Sequence, residues 1–144
     1  MTPKQYLNQG YRLNEIIETD KLELAQLREL ADGLTSVWIE EDKISSGKVS
    51  SLVEENVLRI INLSEKINRE IQAYLQIKEE IRDEIEKQIM SNTEKEILRL
   101  RYVLFFQWDD IFTQIHMERS QTFKLHQTAL NHFKVPVKDR TKSD

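Results

Sequence analysis

Apolar residues recur along the first part of the chain in alternating steps of three and four: Tyr6, Leu13, Ile17, Leu24, Leu27, Ala31 and Leu34. The steps that would complete the series fall on Gly10 and Asp20. Such a series is one seam of a helix of about 30 residues, apolar toward a partner and polar elsewhere. Thr2 followed by Pro3 supplies its start, a hydroxyl cap and a ring suited to the first helical position. The pattern weakens at Asp32-Gly33, and the polar stretch from Glu40 to Ser51, centred on Ser45-Ser46-Gly47, predicts a loop that reverses the chain. Val37-Trp38-Ile39, just before that loop, is expected to fold onto the hairpin.

A second seam follows: Val53, Val57, Ile60, Ile67, Ile71, Tyr74, Ile81 and Ile85, with Ser64 and Lys78 in the slots between. Its period is close to the value that keeps a stripe facing a partner helix. A helix of about 40 residues spans ~60 Å, more than the first helix covers. The surplus around Ile67 to Ile85 therefore needs a cover. A second copy of the chain, making a homodimer, is expected to supply it; the C-terminal helices folding back would be the other cover.

Ser91-Asn92-Thr93 then interrupts the helix, and Thr93 with Glu96 has the spacing of a capping box for a helix carrying Ile97, Leu98, Leu100 and Leu104. Trp108, Ile111, Phe112 and Ile115 give the next helix one apolar face, with Asp109 and Asp110 in the first turn where the helix dipole favours acids. Three residues later a last helix begins, with Thr122, Leu125, Ala129 and Phe133 inside and Leu130 beside them. The fold class is all-α: a long antiparallel, coiled-coil-like hairpin over residues 1–90 and a helix-turn-helix unit over residues 91–133. Residues 134–144 are expected to be a disordered tail.

Composition narrows the class further. Among 144 residues there are 3 Gly, 2 Pro and no Cys, too few turn residues for an all-β fold and no thiolate for a disulfide or metal site. No apolar run approaches the roughly 20 residues of a membrane span, so a cytoplasmic protein without a membrane partner is expected. The net charge of −4 is unevenly spread: residues 1–90 hold 12 Lys and Arg against 18 acids, residues 91–144 hold 9 against 7. A polyanion would bind at the C-terminal end.

Two short helices joined by about three residues have helix-turn-helix spacing, in which the second helix enters the major groove. Its outer face here is Arg119, Ser120, Phe123, Lys124 and Gln127. Arg and Gln form paired hydrogen bonds with guanine and adenine, Lys reaches phosphate, and Phe touches a thymine methyl. Arg99 and Arg101 on the preceding helix are further candidates for phosphate. His126 and His132 lie six apart, which no metal-binding helix uses, and no phosphate loop or nucleophile motif is present. No enzyme, cofactor, metal or small-molecule substrate is expected.

The segments Glu96-Ile-Leu-Arg-Leu-Arg-Tyr102, Trp108-Asp-Asp-Ile111 and Lys124-Leu-His-Gln-Thr-Ala-Leu130 resemble region 4 of bacterial sigma factors. The likeness is to phage- and prophage-encoded members, including the ArpU-like late transcription regulators. The opening of the chain, Met1 to Leu13, is similar to a related phage family, as is the plan of residues 45–90. The resemblance implies a phage transcription regulator that binds double-stranded promoter DNA together with host RNA polymerase, through Arg119, Ser120, Phe123 and Lys124. Where that pattern has a turn glycine and a Ser or Thr cap, this chain has His116 and Glu118. The alternative is a coiled-coil interaction protein, such as a phage packaging or assembly factor, without specific DNA readout.

Overall fold

The computed structural model describes residues 1–40 and 46–137, with side chains placed at 1–33 and 50–137. All elements among the described residues are helices: α1 (Pro3–Leu7), α2 (Gln9–Glu40), α3 (Ser46–Gln88), α4 (Asn92–Leu98), α5 (Trp108–Ile115) and α6 (Arg119–His132). A π-helical turn, Arg99–Val103, continues α4. The helix runs through Asp32-Gly33, where the apolar pattern weakened. Of the loop expected over Glu40 to Ser51, Glu40 ends α2 and Ser46 to Ser51 open α3, so Ser46 and Gly47 of its expected centre are helical; residues 41–45 and the side chains of Val37-Trp38-Ile39 lie outside the described residues.

The chain divides into two compact units, one of Met1–Arg12 with Tyr74–Asp144 and one of Leu13–Ala73. The boundary expected at residue 90 thus falls inside the first unit.

In the Leu13–Ala73 unit, α2 and α3 pack antiparallel. Asn56 donates to the Leu27 carbonyl at 3.4 Å, and Lys66 Nζ lies 3.4 Å from Asp20 Oδ2. Ile17 and Ile67 are buried in the seam. Two polar residues are buried with them, Asp20 and Asn56. Asp20, a gap in the apolar series, is therefore a true seam position. Burial raises the Glu70 carboxyl above the usual carboxylate range, while its hydrogen bond and then Lys66 hold Asp20 low. Val57, expected in the seam, is 44% exposed and Asn56 takes its slot. The stripe steps by three from Val53 to Asn56 and by four to Ile60, so Val57 lies about 100° around the helix.

In the other unit, Thr2 caps α1 reciprocally. Its hydroxyl accepts from Gln5 N at 3.1 Å, and its backbone N–H donates to Gln5 Oε1 at 2.8 Å. Tyr6 and Leu7 share a core with Ile81, Ile85, Ile89, Leu98, Tyr102, Val103, Ala129 and Phe133, and the Tyr6 ring stacks on Phe133. Each fully buried isoleucine contributes about 1.5–3 kcal/mol of burial free energy. Of the surplus around Ile67 to Ile85 that led to the expectation of a homodimer, Ile81 and Ile85 are buried within one chain in this core, and Ile77 packs against it.

The first residues of the expected tail are fixed rather than loose. Gln88 donates to the Lys134 carbonyl at 2.8 Å and accepts from Lys134 N at 2.7 Å, and Val135 packs against the core. Residues 138–144 lie outside the described residues. No helix among the described residues is long and apolar enough to cross a membrane.

Candidate nucleic-acid interface

Ser91 starts α4, its hydroxyl accepting from Glu94 N at 3.4 Å. The cap therefore lies two residues before the Thr93–Glu96 box read from the sequence. Ile97, Leu98 and Leu100 turn inward, and Glu94, itself buried, faces His132 Nδ1 at 3.1 Å. The π-helical turn closes with Leu104 N donating to the Arg99 carbonyl at 2.9 Å. Its extra residue per turn brings Leu100, Tyr102 and Val103 into the core together and leaves Leu104 half exposed.

The turn delivers Phe105 at φ 61, a left-handed conformation that bulky residues rarely adopt. Aromatic packing holds it there. The ring meets Tyr11 edge-on at 5.7 Å and Tyr74 at 6.3 Å, and the Lys78 ammonium lies 5.7 Å from its centre. Gly10, the other gap in the apolar series, lies against this ring.

α5 then presents Trp108, Ile111, Phe112 and Ile115 to α6, with Ile111 fully buried. It ends at His116, whose φ 55 and ψ 45 are left-handed, and whose N–H bonds the Phe112 carbonyl. The histidine does the work of the usual turn glycine. Glu118 is the first residue before α6, but its side chain makes no cap bond. The Glu118 carbonyl is engaged instead, accepting from both the backbone N–H and the hydroxyl of Thr122, at 3.0 and 2.9 Å.

On α6, Arg119, Ser120, Lys124 and Gln127 are exposed on neighbouring positions of one face, as the periodicity predicted. Phe123 differs. It is half-buried, its ring edge-on to Trp108 at 4.9 Å and to Phe112 at 5.5 Å. The Arg119 guanidinium lies 5.4 Å from its centre, and the two line a shallow depression with Glu118 and Ser120. Gln127 reaches Asn131 at 3.2 Å along the same face.

The two arginines of the preceding helix are engaged elsewhere. Arg101 donates to the Phe106 carbonyl at 3.0 Å and stacks on Trp108 at 4.9 Å, and Arg99 lies 3.8 Å from Glu86. Together with Lys124 and Arg119 they add positive charge to this unit; Asp109, Asp110 and Glu118 oppose it.

His126 is the residue sequence reasoning missed. It is buried, with Nε2 2.7 Å from the Tyr102 hydroxyl and its ring edge-on to Trp108. Burial, then the charges of Lys4 and Arg101, lower its pKa to about 4, and burial raises Tyr102 to about 12. The imidazole is thus neutral and the phenol protonated, and the two share one hydrogen bond between the Tyr102 oxygen and Nε2. The signal was present: Thr122, His126, Ala129 and Phe133 form the 4-3-4 series, whereas Leu125 is only half-buried. No group of three potential metal ligands occurs among the described residues.

No family model, curated protein or solved structure matches the chain.

Proposed function

We propose that the chain is a DNA-binding transcription regulator whose C-terminal helices form a helix-turn-helix of the sigma-region-4 type. The observation that carries this reading is the pairing of α5 and α6. They are joined by His116, Met117 and Glu118 with a left-handed first residue, and the second helix opens with exposed Arg119, Ser120 and Lys124. That is the connection by which a recognition helix is set across a duplex groove.

In this reading Arg119 and Gln127 address base edges, Ser120 and Lys124 contact backbone or base, and Phe123 acts mainly by holding Arg119 in place. The regulator would serve phage genes in the cytoplasm, alongside host RNA polymerase. It acts by binding alone, with no catalytic step. The net acidity of the remaining chain would confine DNA contact to this face.

Selection from a pool of random duplexes tests the reading. The full-length protein should enrich a short motif, and Arg119→Ala should relax one position of it. A pool that stays unenriched would favour the alternative, an interaction or assembly protein that uses the same helices to dock protein.

A further inference from the structure

We propose that Asp20 of α2 and Glu70 of α3 share one proton across the hairpin seam, a proton-held junction that strengthens the Leu13–Ala73 unit in acid and loosens once the proton leaves. Each acid stands three residues beyond a buried isoleucine of its own helix, Asp20 after Ile17 and Glu70 after Ile67, and so lies on the same face as that isoleucine. Asp20 is 7% exposed, and Glu70 is half-buried. The two carboxyl groups lie within hydrogen-bonding reach of each other.

One oxygen of each acid, Asp20 Oδ2 and Glu70 Oε1, is shut off from solvent and has no hydrogen-bond donor among the described residues. Ionised carboxylates only accept, so two of them side by side leave both oxygens bare and set like charges together. A single proton turns one acid into a donor and supplies a short, charge-assisted bond to the other.

The surrounding charges do not replace that proton. Lys66 Nζ lies 3.4 Å from Asp20 Oδ2, but its side chain is 55% exposed, so it offsets charge from the solvent side without making a well-formed bond. Arg69 acts on Glu70 through its charge alone. On α2, exposed Glu23 lines a groove with Lys66 and draws on the same positive charge. Burial, and then the bond with Asp20, hold the Glu70 carboxyl above the usual range; that bond, and then Lys66, hold Asp20 low. The proton therefore resides on Glu70, and Asp20 accepts.

The sign of the pH effect follows. Unfolded, Glu70 releases its proton near 4.5, whereas the folded hairpin keeps it to higher pH. Between those two values the folded chain binds one proton more, so the hairpin loses stability as the pH rises and levels off once Glu70 is ionised. The low Asp20 acts in the opposite direction only in stronger acid, below 3.8. None of this depends on the DNA-binding reading.

Carboxyl carbon-13 NMR of the full-length protein follows both acids directly, with Glu70→Gln and Asp20→Asn identifying their signals. The Glu70 signal should titrate above the ordinary glutamate range and the Asp20 signal below the ordinary aspartate range. Amide hydrogen exchange, corrected for its intrinsic pH dependence, then reads the opening of the seam on α2 and α3. Glu70→Gln keeps the shape and a permanent donor. The ratio of wild-type to Glu70→Gln opening should grow by up to about tenfold per pH unit above 4.5 and then level off. Glu65→Gln, an exposed acid of the same helix, should open as the wild type does. A Glu70 signal that titrates at or below 4.5, or a Glu70→Gln hairpin that opens with the wild-type pH profile, overturns the proposal.

Discussion

The hydroxyl of Tyr102 lies 2.7 Å from Nε2 of His126, inside the unit that also carries the exposed residues of α6. The π-helical turn supplies one partner and the inner face of α6 the other, so this hydrogen bond ties α6 to the turn that follows α4. Removing the hydroxyl leaves a buried imidazole nitrogen without its hydrogen-bond partner, which typically costs about 1–3 kcal/mol. Tyr102→Phe should lower stability by that amount in urea titrations at neutral pH, whereas removing an exposed hydroxyl, as in Ser120→Ala, should change it little.

The same pair makes stability fall in mild acid. Unfolded, His126 takes up a proton near 6.5; folded, it does so only near 4. Between those values the unfolded chain binds a proton that the folded chain does not, so this contribution is complete above 6.5 and lost as the pH drops toward 4. The urea midpoint should decline across that window, and His126→Gln should flatten the decline. An identical pH profile in the variant would show that other groups are responsible.

Trp108 meets Phe112, Phe123, His126 and the Arg101 guanidinium, yet remains half-buried. Trp108→Ala should cost about 3 kcal/mol, the low end for a large aromatic, because part of the ring already faces water. Circular dichroism melting measures it. Wild-type melting would mean that the ring cluster contributes nothing.

Gly10 allows the opposite change. A Cβ built there would meet Phe105 Cζ at 3.5 Å, an ordinary contact. Glycine in a helix interior is less stable than alanine by about 0.5–1 kcal/mol. Gly10→Ala should raise stability by up to that amount, and a loss would show that Phe105 needs more room than the contact distance indicates.

Much of the hairpin was legible because a seam needs a regular spacing; the gap at Asp20 proved to be a seam position, and the gap at Gly10 a close approach to Phe105. Polar residues that satisfy each other hide the pattern. Asn56 in place of Val57 and His126 in place of Leu125 were misread because an apolar neighbour looked the better core residue. The π-helical turn at Arg99–Val103 escaped because one extra residue shifts every later position. The Gln88–Lys134 clasp escaped because a single distant pair leaves no periodic mark. At the candidate site, exposure followed the helical period for Arg119, Ser120, Lys124 and Gln127. Phe123 departed from it because Trp108 and Phe112 receive its ring.

Since Ile81, Ile85 and Ile89 are buried within one chain, no apolar stripe on this part of α3 requires a second copy. Sedimentation equilibrium at tens of micromolar should give the monomer mass of 17.2 kDa. A concentration-dependent dimer would mean that another surface of the chain binds a second copy.

If α6 meets duplex DNA through its exposed cations, as proposed, the salt dependence of affinity measures that contact directly. Each phosphate neutralised by a Lys or Arg releases counterions, so log K falls linearly with log salt and the slope counts the contacts. Lys124→Ala should weaken binding to all duplexes alike and reduce the slope by about 1. Binding that is absent at low salt, or a slope that Lys124→Ala leaves unchanged, would contradict the account.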